Sequence, residues 1–228
     1  NTFNTAVGAG AGNLVTTGTH NTLLGASAGD AITTATWTTA VGMDAGGAIT
    51  TGVQNTFVGG GSGDATTTGT QNTGVGYASL GSNTTAANNV AIGYTALSSD
   101  TKGYGSVAVG NAALATQNFT SNTDTYNTAV GYSAGNDITT GIRNTLIGGL
   151  AGDALTDADF NVAVGSHALT ADTLGSKSIA IGHSALEAQN FTSATDTHNI
   201  AIGDNTGKSI TTGVQNTFVG GLAGDATD

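Results

Sequence analysis

The stretch Asn127–Gly135, with the sequence NTAVGYSAG, determines how the whole chain is organised, because most of the remaining sequence consists of variations on it. The pattern returns as NTLIGGLAG at Asn144–Gly152 and as NTFVGGLAG at Asn216–Gly224. Alignment on the central glycine gives a column of thirteen anchor glycines, and their spacing is constant except for two longer intervals, Gly110 to Gly131 and Gly182 to Gly203. The anchors are Gly8, Gly25, Gly42, Gly59, Gly76, Gly93, Gly110, Gly131, Gly148, Gly165, Gly182, Gly203 and Gly220. A fixed short period of this kind predicts a solenoid in which each repeat forms one turn.

The three residues before each anchor predict a short β-strand. The residue immediately before the anchor is Val, Ile or Leu in every repeat, and the residue three before it is Thr, Val or Ile. The position between them is mostly Ala, with Leu23, Phe57, Leu146 and Phe218 as larger exceptions. Successive residues of a strand point to opposite faces, so these columns predict a strand that is covered on both faces. We expect the Ala column to face a seam between neighbouring chains.

Two further features recur along the chain. The residue four before the anchor is Asn in ten of the thirteen repeats, and stacked Asn side chains favour an amide ladder along the solenoid. The second half of many repeats contains a β-branched run that ends in glycine, such as ITTG at 138–141, which predicts a second strand. The sequence therefore predicts two short strands and two turns per repeat, parallel pairing of successive repeats, and no helix.

Composition and charge exclude several function classes. Gly accounts for 37 of 228 residues, Pro and Cys are absent, and the net charge is −11 with only four Lys and Arg residues. Such an acidic chain is a poor phosphate binder, so nucleic acid and anionic membrane surfaces are not expected partners. No apolar run approaches the length of about 18 residues that a membrane span needs, so no membrane insertion is expected. We interpret residues 1–228 as a single continuous β-roll repeat domain and as a fragment of a longer fibre protein.

Several repeats resemble those of a known class of surface proteins. NTAVGYSAG, NVAVGSHAL (Asn161–Leu169), SIAIGHSAL (Ser178–Leu186) and NVAIGYTAL (Asn89–Leu97) are similar to the head repeats of YadA-like trimeric autotransporter adhesins and to the repeats of phage and bacterial tail-fibre proteins. The resemblance covers essentially the whole chain. It implies a left-handed parallel β-roll, a homotrimer, and attachment to a host cell-surface glycan or protein. The constant 17-residue repeat differs from the shorter units common in adhesin heads, and the Thr-, Asn- and Gly-rich composition favours a phage or virion fibre.

The two longer repeats contain closely similar insertions, with loops at 111–131 and 183–203. Each loop carries an aromatic residue among polar ones, Phe119 in the first and Phe191 in the second, and the first insertion ends on Tyr126. A loop that projects from a repeat often lies on the binding face, so these residues are candidate receptor or glycan contacts. The alternative is that each loop caps a groove between chains and buries its Phe there.

The position after the anchor provides a second set of candidate contacts. Tyr77, Tyr94 and Tyr132 occupy it, whereas most other repeats have a small or polar residue there. Tyr77 and Tyr94 fall on adjacent turns, and stacked tyrosines are suited to hold a glycan ring. The alternative interpretation is packing on the surface or between chains.

Motifs for catalysis and metal binding are weak. The sequence GYSAG at Gly131–Gly135 matches the nucleophile-elbow pattern, but that motif needs a helix after the serine and none is predicted. The four His residues lack metal-ligand spacing, and no carboxylate pair indicates a glycosidase site. We therefore expect a protein that is not an enzyme and that needs neither a cofactor nor a metal.

These observations favour an extracellular structural and attachment fibre, a shaft of a phage tail fibre or another virion appendage. A bacterial trimeric surface adhesin head is the first alternative. A different class, a monomeric ice- or surface-binding solenoid, is suggested by five Thr-Thr pairs, which begin at Thr16, Thr33, Thr50, Thr67 and Thr84.

Overall fold

The computed structural model describes residues 3–225, which form no helix and contain only strands, turns, bends and irregular segments. Each turn contributes one strand of three residues, and four further strands have two residues each. In chain order the strands are β1 (Thr5–Val7), β2 (Thr22–Leu24), β3 (Thr39–Val41), β4 (Thr56–Val58), β5 (Thr73–Val75), β6 (Val90–Ile92), β7 (Gly103–Tyr104), β8 (Val107–Val109), β9 (Thr123–Asp124), β10 (Thr128–Val130), β11 (Thr145–Ile147), β12 (Val162–Val164), β13 (Gly175–Ser176), β14 (Ile179–Ile181), β15 (Thr195–Asp196), β16 (Ile200–Ile202) and β17 (Thr217–Val219). The predicted all-β fold without helices is confirmed for the described residues.

Successive turns pair in parallel and in the register that the repeat dictates. Thr145 of β11 lies beside Val162 of β12, at the equivalent position of the next repeat, and Ile179 of β14 lies beside Ile200 of β16, across one of the longer repeats. The residues form two compact units, one up to Asn111 together with Asn118–Asp124, and one of Ala112–Gln117 with the chain from Thr125 onward. The three-residue strands stack as β1-β2-β3-β4-β5-β6-β8 in the first unit and as β10-β11-β12-β14-β16-β17 in the second. The chain is therefore a parallel β-solenoid of about thirteen turns, as predicted.

The Ala column lies inside the solenoid, so the expectation that it faces a seam between chains is wrong. From β2 to β16 the middle residue of each three-residue strand is enclosed by its own chain, and Ala108, Ala163 and the larger Phe57 are all fully buried. The residues on either side of it point outward and are at least partly exposed. The physical reason is the narrow interior of a 17-residue turn, which accepts small or singly placed large side chains and leaves the β-branched columns outside.

The second predicted strand is also wrong, because the Ile-Thr-Thr segments bend instead of extending. The N–H groups of Thr16, Thr17 and Gly18 all donate to the carbonyl oxygen of Thr33, at 3.0, 3.2 and 3.1 Å. Three consecutive N–H groups converge on one acceptor only if the backbone curves around it, whereas an extended strand sends alternate groups to opposite sides. β-branched residues therefore mark a tight bend at this position.

The predicted Asn ladder is present and closes each turn. In the second unit, Asn144 Nδ2 donates to the carbonyl oxygen of Ala158, later in the same turn, at 2.8 Å. Its Oδ1 accepts from the backbone N–H of Asn161 on the next turn at 2.9 Å. Nine of the ten Asn residues in this column make the equivalent bond across their own turn. One buried amide thus ties the two sides of a turn together and links that turn to its neighbour.

Within each turn, a small residue at one interior position is matched by a large side chain at another. Where the fourth residue after the anchor is glycine, a large side chain occupies its space: a Cβ on Gly29 would lie 2.8 Å from both Ile32 Cδ1 and Leu23 Cδ2. Where that residue is Leu, as at Leu169, the residue three positions later is polar. These pairs are Leu80 with Asn83, Leu97 with Asp100, Leu114 with Gln117, Leu169 with Asp172, and Leu186 with Gln189. The interior therefore stays filled although the residues that fill it change.

We predict that the anchor glycines cannot carry a side chain. Gly148 has a φ of 138°, and a Cβ there would lie 2.5 Å from the carbonyl oxygen of Gly165 on the next turn. Gly148→Ala should therefore lower the free energy of unfolding by about 2 kcal/mol or more, measured by denaturant titration. The neighbouring Gly149 has nothing within 4 Å of a built Cβ, so Gly149→Ala is the matched control and should be close to neutral. Equal effects of the two substitutions would contradict this account of the turn.

Candidate ligand-contact surface

The outward face of each stacked sheet is lined by two aliphatic columns, the residues three before and one before each anchor. Their members are Thr, Val, Ile or Leu, and the second column includes Ile92 and Ile147, each 40% exposed. None of the described residues covers this face, because the turns fold away from it to enclose the Ala column. The first column is Thr in eight of the thirteen repeats, so the apolar part of this face is mainly the second column, and an exposed apolar column is a characteristic place for association.

A corner column borders the aliphatic columns on one side. We give this name to the residues five before each anchor. In the first unit they are Phe3, His20, Trp37, Gln54, Gln71, Asn88 and Gly105, and in the second Tyr126, Arg143, Phe160, Lys177, His198 and Gln215. Every residue of the column has a positive φ, between 49° and 75°. This left-handed corner turns the side chain outward, so large residues stand exposed on the surface.

In the first unit the corner column begins with a stack of three rings. The centroids of Phe3 and His20 lie 5.1 Å apart and those of His20 and Trp37 lie 4.1 Å apart, with nearly parallel planes. Trp37 remains 60% exposed. The rings on successive turns stack face to face, and their edges are exposed to the solvent.

In the second unit the corner column alternates aromatic and cationic residues. The Arg143 guanidinium carbon lies 5.4 Å from the centroid of the Phe160 ring on the next turn, and exposed Tyr126 is on the preceding turn. Lys177 follows Phe160, and its Nζ is 2.5 Å from Oδ2 of Asp196. Two of the four cations of an acidic chain therefore lie in one column.

A flanking column, the residues one after each anchor, borders the aliphatic columns on the other side. Tyr77 and Tyr94 stack there with ring centroids 5.6 Å apart and an angle of 15° between their planes. Tyr132 is equally exposed in the second unit. His183, in the same column, meets His167 edge-on at 6.2 Å. The structure thus brings the predicted Tyr77 and Tyr94 together and leaves Tyr132 as a single exposed ring.

Phe119 and Phe191, the predicted loop contacts, are buried within the single chain, so their rings are not presented on its surface. Each side chain is only 7% exposed within the single chain. A buried carboxylate holds each loop in place: Asp172 Oδ1 accepts from the backbone N–H groups of Gly175 and Phe191, both at 3.0 Å, and Oδ2 accepts from Gln189 Nε2 at 2.6 Å. In the first loop Asp100 Oδ1 accepts from the N–H groups of Gly103 and Phe119 at 3.0 and 3.2 Å. The loops present their polar tips, not their phenyl rings, to the solvent.

In each Thr-Thr pair that suggested ice binding, the hydroxyl group of the first threonine is engaged by the main chain. Thr33 Oγ1 donates to the carbonyl oxygen of Thr50 at 3.1 Å, and Thr50 Oγ1 donates to that of Thr67 at 3.2 Å. The same bond forms from Thr16, Thr67 and Thr84. These hydroxyls link successive turns, and so they do not form a free donor array for an ordered water lattice.

Three carboxylates of the first unit approach one another around a glycine. A Cβ on Gly47 would lie 2.9 Å from Oδ1 of Asp64 and 3.5 Å from Oδ1 of Asp30, although these two residues are two turns apart. Partial burial, together with the charges of Asp44 and Asp30, raises the pKa of the Asp64 carboxyl above its ordinary value. Among residues 3–225 no group of His, Asp and Glu is arranged to hold a metal ion.

Comparisons with known proteins add no relatives. No protein-family model, curated protein or solved structure matches the chain. Within the described residues there is no helix that is long and apolar enough to cross a membrane. The described surface also has no pocket.

The residues that sequence reasoning missed carry visible signals in the repeat. In the sequence, only the aromatic members of the corner column stand out by residue type, so the column as a whole is not predicted. All of its positions nevertheless lie directly before the residue of the Asn ladder in their repeat. The loop anchors Asp100 and Asp172 each lie in the turn before an insertion, at a position where other repeats have Val, Ile, Leu or a neutral polar residue. An acidic residue at this interior position therefore precedes both insertions and occurs in no other described repeat.

We predict that removing the Asp64 charge stabilises the first unit. A carboxyl whose pKa is raised on folding costs stability when ionised, and that cost disappears as the pH falls through its raised pKa. Asp64→Asn should therefore raise the melting temperature at pH 7, and the gain should vanish at about pH 3, below the ordinary pKa of Asp. Asp124→Asn removes one exposed charge outside this cluster and controls for net charge. A gain for Asp64→Asn that persists at acid pH would contradict the electrostatic cause.

Proposed function

We propose that this chain is a non-enzymatic, extracellular structural segment of an attachment fibre, in which copies lie side by side as a homotrimer of left-handed β-rolls. Its parent protein is best taken as a phage tail fibre or another virion appendage that meets a host surface. A bacterial trimeric surface adhesin head is the alternative parent. Handedness, the number three and the attachment role rest on the resemblance of the repeats.

The uncovered aliphatic face of the sheets is the observation that carries this proposal. Its two columns repeat on every turn with Val, Ile, Leu or Thr, and a single chain leaves them partly exposed. Burying apolar surface contributes about 25 cal/mol per Å², so a regular face of this kind is a strong driving force for association. Another copy of the same chain offers a face with the same repeat along its length, which favours self-association over an irregular partner.

The surface left outside such an assembly suits attachment. The corner and flanking columns carry Trp, Tyr, Phe and Arg, the residue types that dominate binding energy at interfaces. The interior, by contrast, is filled by Ala, by single large residues such as Leu and Ile, and by Asn side chains whose hydrogen bonds serve the fold. We therefore assign recognition to these outer columns and mechanical strength to the stack of turns.

A monomeric ice- or surface-binding solenoid has less support. Its proposed threonine array donates its hydroxyl groups to the main chain, which leaves the aliphatic face as the remaining flat surface. The oligomeric state separates this alternative from the fibre, because a face that binds a surface as a monomer is free in solution.

We predict that the wild-type chain has a solution mass of three times 22.0 kDa and that a charge on the aliphatic face lowers this mass. Ile147→Asp places a carboxylate on that face, where burial against a neighbouring chain costs several kcal/mol. Thr51→Asp adds the same charge at an exposed position away from the sheets and should keep the assembly. The measurement is light scattering, with circular dichroism to show that each variant is folded. A wild-type monomer would contradict the proposed assembly.

A further inference from the structure

We propose that the ridge formed by Tyr126, Arg143 and Phe160 in the second unit binds a carboxylate-bearing sugar of an acidic polysaccharide. This inference rests on the proposed attachment function and names the class of ligand. Arg143 binds the carboxylate, and the two aromatic residues contact the sugar rings on either side. The ligand lies along the corner column, across successive turns.

The fold sets these three side chains at a fixed spacing and in one direction. They occupy the same position of successive turns, and neighbouring strands lie about 4.8 Å apart. Their φ values of 49°, 58° and 58° place all three in the left-handed corner that points the side chain outward. Tyr126 and Phe160 are 54% and 43% exposed, and Arg143 is exposed between them. The ridge therefore exists before any ligand arrives.

The Phe160 ring orients the guanidinium of Arg143 for a carboxylate. The guanidinium carbon lies 5.4 Å from the ring centroid, within the range of a cation–π contact, and the N–H groups of a guanidinium form the edge of its plane. That edge matches the two oxygens of a carboxylate in a bidentate pair. Arg143 is the only Arg of the chain, and it makes no ion pair with any other described residue, whereas Lys177 and Lys208 are both paired with carboxylates.

The acidic residues on the next turn are already engaged by donors of the fold. Asp157 Oδ1 accepts from Thr140 Oγ1 at 2.7 Å, and Asp159 Oδ1 accepts from the backbone N–H of Ile142 at 2.8 Å. These bonds tie the two carboxylates to the preceding turn, and among the described residues neither carboxylate forms an ion pair with Arg143. The net charge of the chain is −11, and repulsion from its carboxylates more than about 10 Å away is largely screened at 0.1 M salt.

The surroundings of Arg143 favour a sugar over other anions. Aromatic side chains offer an apolar face for the C–H groups of a sugar ring, and the exposed Tyr126 hydroxyl can bond to a sugar hydroxyl. The described part of the ridge has no pocket that would enclose a small ion or metabolite. An extended polymer, whose rings follow one another along the column, gains contacts on several turns at once.

The test measures binding of the full chain to polygalacturonate, a polymer of uronic acid, with dextran as the neutral polymer and poly-L-glutamate as the non-sugar polyanion. We expect binding to polygalacturonate alone. Arg143→Gln should weaken it about tenfold or more, because hydrogen bonds to charged groups contribute on this scale. Arg143→Lys should recover only part of the loss, since Lys lacks the planar fork. Phe160→Ala should also weaken binding, because it removes both the ring contact and the support for Arg143.

Lys102→Gln is the matched control, because it removes a cation of the first unit and should leave binding unchanged. Binding of dextran or poly-L-glutamate as strong as that of polygalacturonate would overturn the proposal. Failure of the folded wild-type chain to bind polygalacturonate, or an Arg143→Gln variant that binds as well as wild type, would overturn it too. Light scattering on the same samples separates this inference from the proposed assembly: a trimer that binds no acidic sugar contradicts the inference alone, and a monomer that binds through Arg143 contradicts the trimer alone.

Discussion

The buried asparagine amide is the interaction on which the rest of the structure depends. Its Nδ2 closes the turn to which it belongs and its Oδ1 receives the backbone of the next turn, as Asn144 does with Ala158 and Asn161. A 17-residue turn has too little interior to be held by apolar burial alone, because its core side chains are mostly Ala. Satisfied polar groups in the interior therefore replace much of the hydrophobic core, and they also specify the register. A chain held in this way needs neither cysteine nor proline.

This interior arrangement has a direct consequence for the outer surface. The strand alternates, so a buried Asn and a buried Ala leave the residues between and around them facing outward. Those outward positions form the corner column, the two aliphatic columns and the flanking column. The left-handed corner admits large side chains such as Trp37 and Arg143 without cost to the core. Variation in these columns changes what the surface contacts, and the stack of turns stays the same.

Much of the fold could be predicted from the repeat. The period, the single strand before each anchor, the parallel register and the Asn ladder all follow from residues that recur at one position. The direction of the Ala column could not be predicted, because alternation shows that two faces differ but not which one is inside. The Ile-Thr-Thr segments misled the strand prediction since β-branched residues also suit a bend whose N–H groups share one acceptor, as at Thr33.

The candidate surface was predicted only in part, for a similar reason. Tyr77, Tyr94, Tyr126 and Tyr132 are exposed as expected, whereas Phe119 and Phe191 are buried beneath their own loops, held by Asp100 and Asp172. An aromatic residue in a polar loop looks the same in sequence whether it anchors the loop or projects from it.

The most direct test of the central claim is to complete the Asn ladder where it is interrupted. Thr38 occupies the Asn position, and its buried hydroxyl has no hydrogen-bond partner among the described residues. Thr38→Asn should supply the missing amide between Asn21 and Asn55 and raise the free energy of unfolding by about 1 kcal/mol, measured by denaturant titration. Thr34→Asn, at an exposed position, should have little effect. A Thr38→Asn variant no more stable than wild type would contradict the claim that the amide ladder holds the turns together.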